Sequence, residues 1–76
     1  MKNRHLRHFL AVAQTENFTR AAERLQISQP SISQQITQLK GLLGTPLFRR
    51  VGKRVFLTEA GMALRARAEI VLRNPE

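Results

Sequence analysis

Apolar residues recur at helical spacing in the first third of the chain. The first predicted helix has the i, i+3, i+4, i+7 spacing of one helix face: Leu6, Phe9, Leu10 and Ala13. Asn3 is placed to cap this helix, and the polar residues 15–17 end it. The same spacing predicts a short second helix: Phe18, Ala21, Ala22 and Leu25. Either Asn17 or Thr19 can cap it, and the sequence alone leaves both open.

A third helix is predicted to start after Ser28, whose side-chain oxygen suits an N-cap, with Pro30 in the first turn, where a missing N–H costs nothing. Its apolar stripe is expected at these positions: Ile32, Ile36, Leu39 and Leu43. We expect it to fray at Gly41 and to end by Gly44, because Pro46 prevents it from resuming. The three helices are thus predicted within residues 4–43.

The pattern changes after Pro46. Two β-prone segments, residues 47–50 and 54–57, flank Val51-Gly52-Lys53, so a hairpin with a basic tip is predicted. Thr58 is placed to cap a fourth helix, with Glu59 in its first turn and Pro75 at its end. The apolar positions of this helix are Leu64, Ala68, Val71 and Leu72. The fold class is mainly α, with one domain filling the chain.

Composition narrows the class of protein. With 76 residues and 42% hydrophobic content, the chain has enough apolar surface for one small core. It contains no Cys, so neither a disulfide framework nor a thiolate metal site is predicted. The longest apolar runs are five residues, against the roughly 20 that a membrane-spanning helix needs. We therefore expect a cytoplasmic protein with neither a signal peptide nor a membrane span.

Charge favours a polyanionic partner. Thirteen Lys and Arg against five acids give a net charge of +8. No acid occurs between Glu23 and Glu59, a stretch that carries six basic residues. A run of charge is often only a solvated surface, but this one coincides with predicted structure. Nucleic acid is therefore the favoured partner.

Two short helices joined at Gln26-Ile27 have the layout of a helix-turn-helix, whose second helix enters the DNA major groove. Eight of the eleven residues from Ser28 to Gln38 are uncharged and polar, and the side away from the apolar stripe centres on Gln34. Such side chains can hydrogen-bond base edges, although a polar helix meeting only water is the alternative. The predicted DNA-binding residues of this helix are Ser28, Gln29, Pro30, Ser31, Ser33, Gln34, Thr37 and Gln38. On the hairpin, Arg50, Lys53 and Arg54 are predicted to bind phosphates or a narrow minor groove.

Other functions fit the sequence less well. There is no Cys or Asp and no paired-carboxylate spacing, so we predict no enzyme, no catalytic residue and no cofactor. His5 and His8 share a helix face but lack a third ligand, so no metal site is predicted. A membrane-surface or protein-interaction module built on the fourth helix is the main rival. Its polar face lacks the aromatic residues typical of membrane interfaces.

Four stretches carry a resemblance to a known family: residues 18–25 (FTRAAERL), 28–33 (SQPSIS), 43–50 (LGTPLFRR) and 57–61 (LTEAG). Together they resemble the N-terminal winged helix-turn-helix domain of bacterial LysR-type transcriptional regulators: a three-helix core, a two-stranded hairpin wing and a C-terminal linker helix. Two positions depart from the family pattern. Lys40-Gly41 replaces residues that are commonly acidic, and Lys53 stands where Arg is common on the wing.

The resemblance implies a DNA-binding domain in residues 1–57 and the start of a linker helix in residues 58–76. It implies binding to an interrupted-palindrome operator in duplex DNA, in the nucleoid, as a homodimer formed through the linker helix. We expect the dimer contact at Leu64, Ala68, Val71 and Leu72, because these positions have no other obvious partner in so small a core. Family members continue into a domain that senses a small-molecule inducer, which is absent from this chain.

Overall fold

The computed structural model describes residues 3–73, which form four helices and a two-stranded antiparallel sheet. The elements follow in the order α1 (Asn3–Thr15), α2 (Phe18–Leu25), α3 (Gln29–Leu43), β1 (Phe48–Val51), β2 (Arg54–Leu57) and α4 (Glu59–Arg73). The predicted mainly α, winged helix-turn-helix architecture is confirmed. Asn3, expected to precede the first helix, is already helical.

The turns of the helix-turn-helix have well-defined caps. Asn17 caps α2, since its side chain accepts a hydrogen bond from the Arg20 N–H at 2.9 Å, and the choice between Asn17 and Thr19 is settled. Gln26 ends α2 in the left-handed region at φ 59°, a conformation that usually favours glycine. Ser28 caps α3 as predicted, accepting from the Ser31 N–H at 3.2 Å.

Two expectations for the end of α3 are wrong. The helix does not fray at Gly41 but continues to Leu43, where Gly44 closes it at φ 70° and donates to the Lys40 carbonyl. The buried stripe ends at Leu39, because Leu43 is 38% exposed. The cap and the anchored Leu39 offset the roughly 1 kcal/mol that a glycine costs inside a helix.

The core lies where α1, α2 and α3 meet, with Leu47 packed against them. Its largest buried side chains are Phe9, Val12, Ile32, Leu39 and Leu47. Ala21 and Ala22 are buried on α2, and their small size allows close helix packing. Each large apolar side chain contributes about 1.5–3 kcal/mol by leaving water. This core fixes the orientation of α3.

The hairpin formed by β1, β2 and the turn between them is called the wing from here on. Val51 pairs with Arg54, so it belongs to β1 and not to the turn as predicted, while Leu47 precedes the strand and is buried. The turn is therefore only two residues long. Gly52 takes φ 63° at its first position, a conformation favourable for glycine in tight hairpins.

Phe48 anchors the base of the wing. Its ring centroid lies 5.2 Å from that of Phe9 and 6.2 Å from that of Phe18, both within ordinary aromatic contact. The Val55 N–H also donates to the Glu16 carbonyl, at 3.0 Å, and thereby ties β2 to the turn between α1 and α2. The wing is thus held at its base and along one edge.

The fourth helix packs along α1. Thr58 caps it as predicted, because its hydroxyl accepts from the Gly61 N–H at 3.1 Å while donating to the Pro46 carbonyl. Ala68 is completely buried and Leu64 packs against the core, so the expectation that these positions lack a partner within the chain is wrong. Pro75, predicted to end α4, lies outside the described residues.

Candidate nucleic-acid interface

The outward face of α3 carries the predicted base-contacting residues. Most of them are exposed, and Ser33 is half-buried. Gln35 is also half-buried. The structure therefore brings these residues together on a single polar surface: Ser28, Gln29, Pro30, Ser31, Ser33, Gln34, Thr37 and Gln38.

The hydroxyls and the amides on this face differ in availability. Ser28 donates its hydroxyl to Ser31 Oγ at 2.8 Å, and Thr37 donates to the Ser33 carbonyl at 2.9 Å. The side-chain amides of Gln29, Gln34 and Gln38 make no hydrogen bond to any other residue in 3–73. These amides can both donate and accept, so they are the groups best placed for base edges.

The three predicted wing cations lie in different surroundings. Lys53 is exposed in the turn and forms no ion pair with residues 3–73. The Arg50 guanidinium lies 4.9 Å from the centroid of the Phe18 ring, which orients it toward α2. Arg54 forms an ion pair with Glu16 and lies 5.0 Å from the centroid of the Phe56 ring. These three cations of the wing therefore differ in their contacts within the chain and are not equally available to a ligand.

A cleft of about 290 Å³ separates the wing from the starts of α2 and α3. Gln29 lines it from α3, Thr19 lines it from α2, and the wing contributes three of its four cations, Arg50, Lys53 and Arg54. A neighbouring cleft of about 210 Å³ lies between α3 and the wing, with Ser33 and Lys40 in its lining. Arg50 borders both clefts. The arrangement places the Gln29 amide and the Ser33 hydroxyl beside cations, a combination suited to binding a nucleic-acid strand.

The residues that support the wing were not predicted from the sequence. Phe18 and Phe48 appear there only as members of apolar patterns, although they orient Arg50 and anchor the hairpin. Glu16 appears only as part of a helix-breaking stretch. No local signal could have revealed its contact with Arg54, which lies 38 positions away.

The histidines of α1 form no metal centre. No group of three or more His, Cys, Asp or Glu residues able to hold a metal ion occurs within residues 3–73. His8 lies near Gln35, and neither His8 Nδ1 nor Gln35 Oε1 has a well-formed hydrogen bond with another described residue. Burial lowers the pKa of His8, nearby Arg4 and His5 lower it further, and Gln35 partly offsets the effect.

The outer face of α4 exposes apolar side chains that face no other element of the described chain. Of the predicted dimer residues, Val71 is 41% exposed, Leu64 and Leu72 are half-buried, and Ala68 is buried. Met62 and Ile70 are more exposed, at 56% and 59%. Ala66 lies between them, so the three residues have the i, i+4, i+8 spacing of one helix face.

The family comparison and two relatives point to the same class of protein. Residues 3–62 match the family described as bacterial regulatory helix-turn-helix protein, lysR family. The chain is 59% identical over 63 residues to the HTH-type transcriptional regulator BudR of Klebsiella aerogenes, covering 83% of this chain and 44% of that protein. It is 50% identical over 76 residues to the Hca operon transcriptional activator HcaR of Escherichia coli K12, covering all of this chain and 26% of that protein. The chain thus spans less than half the length of both relatives.

Solved structures are similar throughout the fold. The CbnR DNA-binding domain in complex with DNA superposes with a TM-score of 0.92 at 40% identity, covering 96% of this chain and 84% of that one. The BenM DNA-binding domain bound to benA site 1 DNA gives a TM-score of 0.93 at 40% identity, covering 97% and 83%. Separately, no helix within residues 3–73 is long and apolar enough to cross a membrane.

Proposed function

Because the chain belongs to the LysR family of bacterial regulatory helix-turn-helix proteins and is a DNA-binding domain of that family, we propose that α3 and the wing have separate roles in DNA recognition. The helix α3 enters the major groove and contacts base edges, while the wing binds the backbone of flanking DNA. The family consists of transcriptional regulators, so the role is regulatory and not enzymatic.

The cleft between α3 and the wing supports this proposal. The unpaired amide of Gln29, at the start of α3, lines the same cleft as the wing cations Arg50, Lys53 and Arg54. Amides depend on which base they meet, whereas cations are satisfied by any phosphate. A single DNA duplex lying across the cleft would use both sets at once.

The proposal extends to the domain plan and cellular location. Residues 1–57 form the DNA-binding unit and residues 58–76 the beginning of a linker helix. The protein works in the cytoplasm, on the nucleoid, at interrupted-palindrome operators. Any response to a small-molecule inducer is assigned to a further domain of the kind that the resemblance implies, and not to residues 1–76.

In vitro selection of duplexes from a random pool tests sequence-specific binding. We expect an enriched site with two related half-sites. Affinity for that site should fall with salt, by a slope of roughly −0.9 in log affinity against log salt for each phosphate contacted. A pool without enrichment, or tighter binding to anionic vesicles than to duplex DNA, would favour the membrane-surface alternative instead.

We also propose that the chain forms a homodimer through the outer face of α4. The exposed stripe of Met62, Ala66 and Ile70, with Val71 beside it, supports this, since an apolar helix face in water favours association. Val71 thereby keeps its predicted role, Leu72 flanks the stripe, and Leu64 and Ala68 support the helix from inside the chain.

Sedimentation of an Ile70→Glu variant tests the dimer. We expect a shift toward monomer and a loss of cooperative binding to paired half-sites, because a carboxylate would be buried at the contact. Leu42→Glu is the matched control, since Leu42 is 62% exposed on a different helix. An Ile70→Glu chain as dimeric as the control would refute the proposed face.

A further inference from the structure

Glu16 connects the wing to the turn between α1 and α2 in two ways. Its carbonyl accepts the Val55 N–H at 3.0 Å, and its carboxylate pairs with the Arg54 guanidinium. Its backbone has φ 56°, in the left-handed region that non-glycine residues rarely adopt. A glutamate is therefore held at a position that glycine would occupy more easily, with its carbonyl and its carboxylate both bound to β2.

Arg54 is consequently engaged within the chain. Its guanidinium meets the Glu16 carboxylate and also lies 5.0 Å from the Phe56 ring centroid. The same side chain lines the cleft assigned above to DNA. A carboxylate and a phosphate present similar pairs of oxygens to a guanidinium, so the two anions compete for the same donors.

The strength of this ion pair permits exchange. The two side chains are 64% and 36% exposed, and ion pairs at such exposed positions contribute at most about 1 kcal/mol. A phosphate of the DNA backbone can therefore displace the carboxylate. Of the ion pairs among residues 3–73, this is the one that involves the wing, since the other joins Arg65 to Glu69 on α4.

We propose that Glu16 is an intramolecular competitor of the DNA phosphate: it holds Arg54 against the domain in the free protein and lowers the affinity of the wing for DNA. This inference rests on the proposed function. On binding, Arg54 exchanges Glu16 for a phosphate, so part of the charge of the wing is offset until DNA is present. Glu16 is thus a positioning residue whose effect passes through Arg54.

A double-mutant cycle on duplex DNA tests the competition, using Glu16→Gln, Arg54→Gln and the combination in the full chain. We expect Glu16→Gln to tighten binding by up to about fivefold, the equivalent of the weak ion pair. Its salt slope should change little, because Arg54 contacts one phosphate in the complexes of both proteins. In the Arg54→Gln background, the same change should have little effect on affinity.

Two further variants separate competition from charge and folding. Glu23→Gln removes an equal charge from α2, at a glutamate that forms no ion pair within residues 3–73, and should change affinity less than Glu16→Gln. Glu16→Gly removes the carboxylate while suiting the left-handed backbone, so it should reproduce the gain in affinity without loss of thermal stability.

Four results of these affinity measurements would overturn the competition between Glu16 and phosphate or the function on which it rests. If Glu16→Gln still increased the affinity for DNA in the Arg54→Gln background, or if Glu23→Gln increased it equally, the effect would come from net charge alone. Either result would overturn the inference. Weaker binding by both Glu16→Gln and Glu16→Gly, at unchanged unfolding temperatures, would mean that Glu16 orients Arg54 for DNA. If the wild-type chain does not prefer duplex DNA to vesicles, the proposed function itself fails, which is a distinct result.

Discussion

The outward face of α3 and the wing border the same cleft, yet they are built in opposite ways. The α3 face is uncharged, and its amides have no partner within residues 3–73. The wing is cationic, but Arg50 and Arg54 are engaged by Phe18 and Glu16. Hydrogen bonding to a particular base needs side chains that are free to take one geometry, whereas any phosphate satisfies a cation, so the wing cations can also have partners within the chain.

The contacts that hold α3 and the wing in place also differ. Ile32 and Leu39 are completely buried, so α3 is fixed along its inner face by the core. The wing is fixed at its base by Phe48 and along the β2 edge, while its turn at Gly52-Lys53 remains exposed. A rigid helix and a hairpin with an exposed tip match the separate tasks of fitting a groove and following a backbone.

Removing the wing anchor should have the largest effect. Phe48→Ala deletes the contacts with Phe9 and Phe18, and we expect it to lower the free energy of unfolding by about 2–3 kcal/mol, toward the lower end for such changes because Phe48 is only half-buried. Denaturant unfolding measures this. Arg49→Ala, at the neighbouring exposed position, serves as the control. Equal stability of the two variants would show that the aromatic contacts do not hold the wing.

Removing the cap of α3 should cost less. Ser28→Ala leaves the Ser31 N–H without its acceptor, and the expected loss is about 1 kcal/mol in the free energy of unfolding. Ser31→Ala is the matched control, because it keeps that N–H and should change stability by no more than about 0.5 kcal/mol. If both variants lose the same stability, Ser28 does not act as the cap. That result would leave contact with DNA as the predicted role of Ser28.

The smallest expected effect is on the pH dependence of stability and involves His8, which lies near Gln35 of α3. Its lowered pKa means that the unfolded chain takes up the proton first as pH falls. The stabilising contribution is therefore present above the unfolded pKa, near 6.5, and is lost as pH falls through the lower folded pKa. We expect wild-type stability to decrease more than that of His8→Gln between pH 7.5 and 5, in parallel unfolding experiments. Identical pH profiles would contradict the assignment.

Sequence patterns predicted those features that depend on near neighbours. The Ser28 cap, the Ile32–Ile36–Leu39 stripe and the turn at Gly52 all follow from residues within a few positions of each other. The end of α3 at Gly44 was predicted correctly, but the fraying at Gly41 was not, because Gly41 weakens a helix locally whereas the cap at Gly44 and the buried Leu39 sustain it.

Contacts between distant residues were beyond prediction from one sequence. Phe48 looks like any apolar strand residue until the fold brings it to Phe9. Arg54 looks like a free cation until β2 pairs with the turn that holds Glu16. On α4, the inner and outer faces could not be separated, because the packing of α1 decides that Ala68 is inside and Ile70 outside.

The division between recognition by α3 and phosphate binding by the wing is tested most directly by comparing Gln34→Ala with Lys53→Ala. Each variant is titrated with the selected site and with a scrambled duplex at two salt concentrations. Gln34→Ala should cost about 1–3 kcal/mol on the selected site, with little loss on scrambled DNA and an unchanged salt slope. Lys53→Ala should weaken both duplexes by similar factors and reduce the slope by about one unit. A Gln34→Ala variant that loses affinity equally for both duplexes would contradict the account.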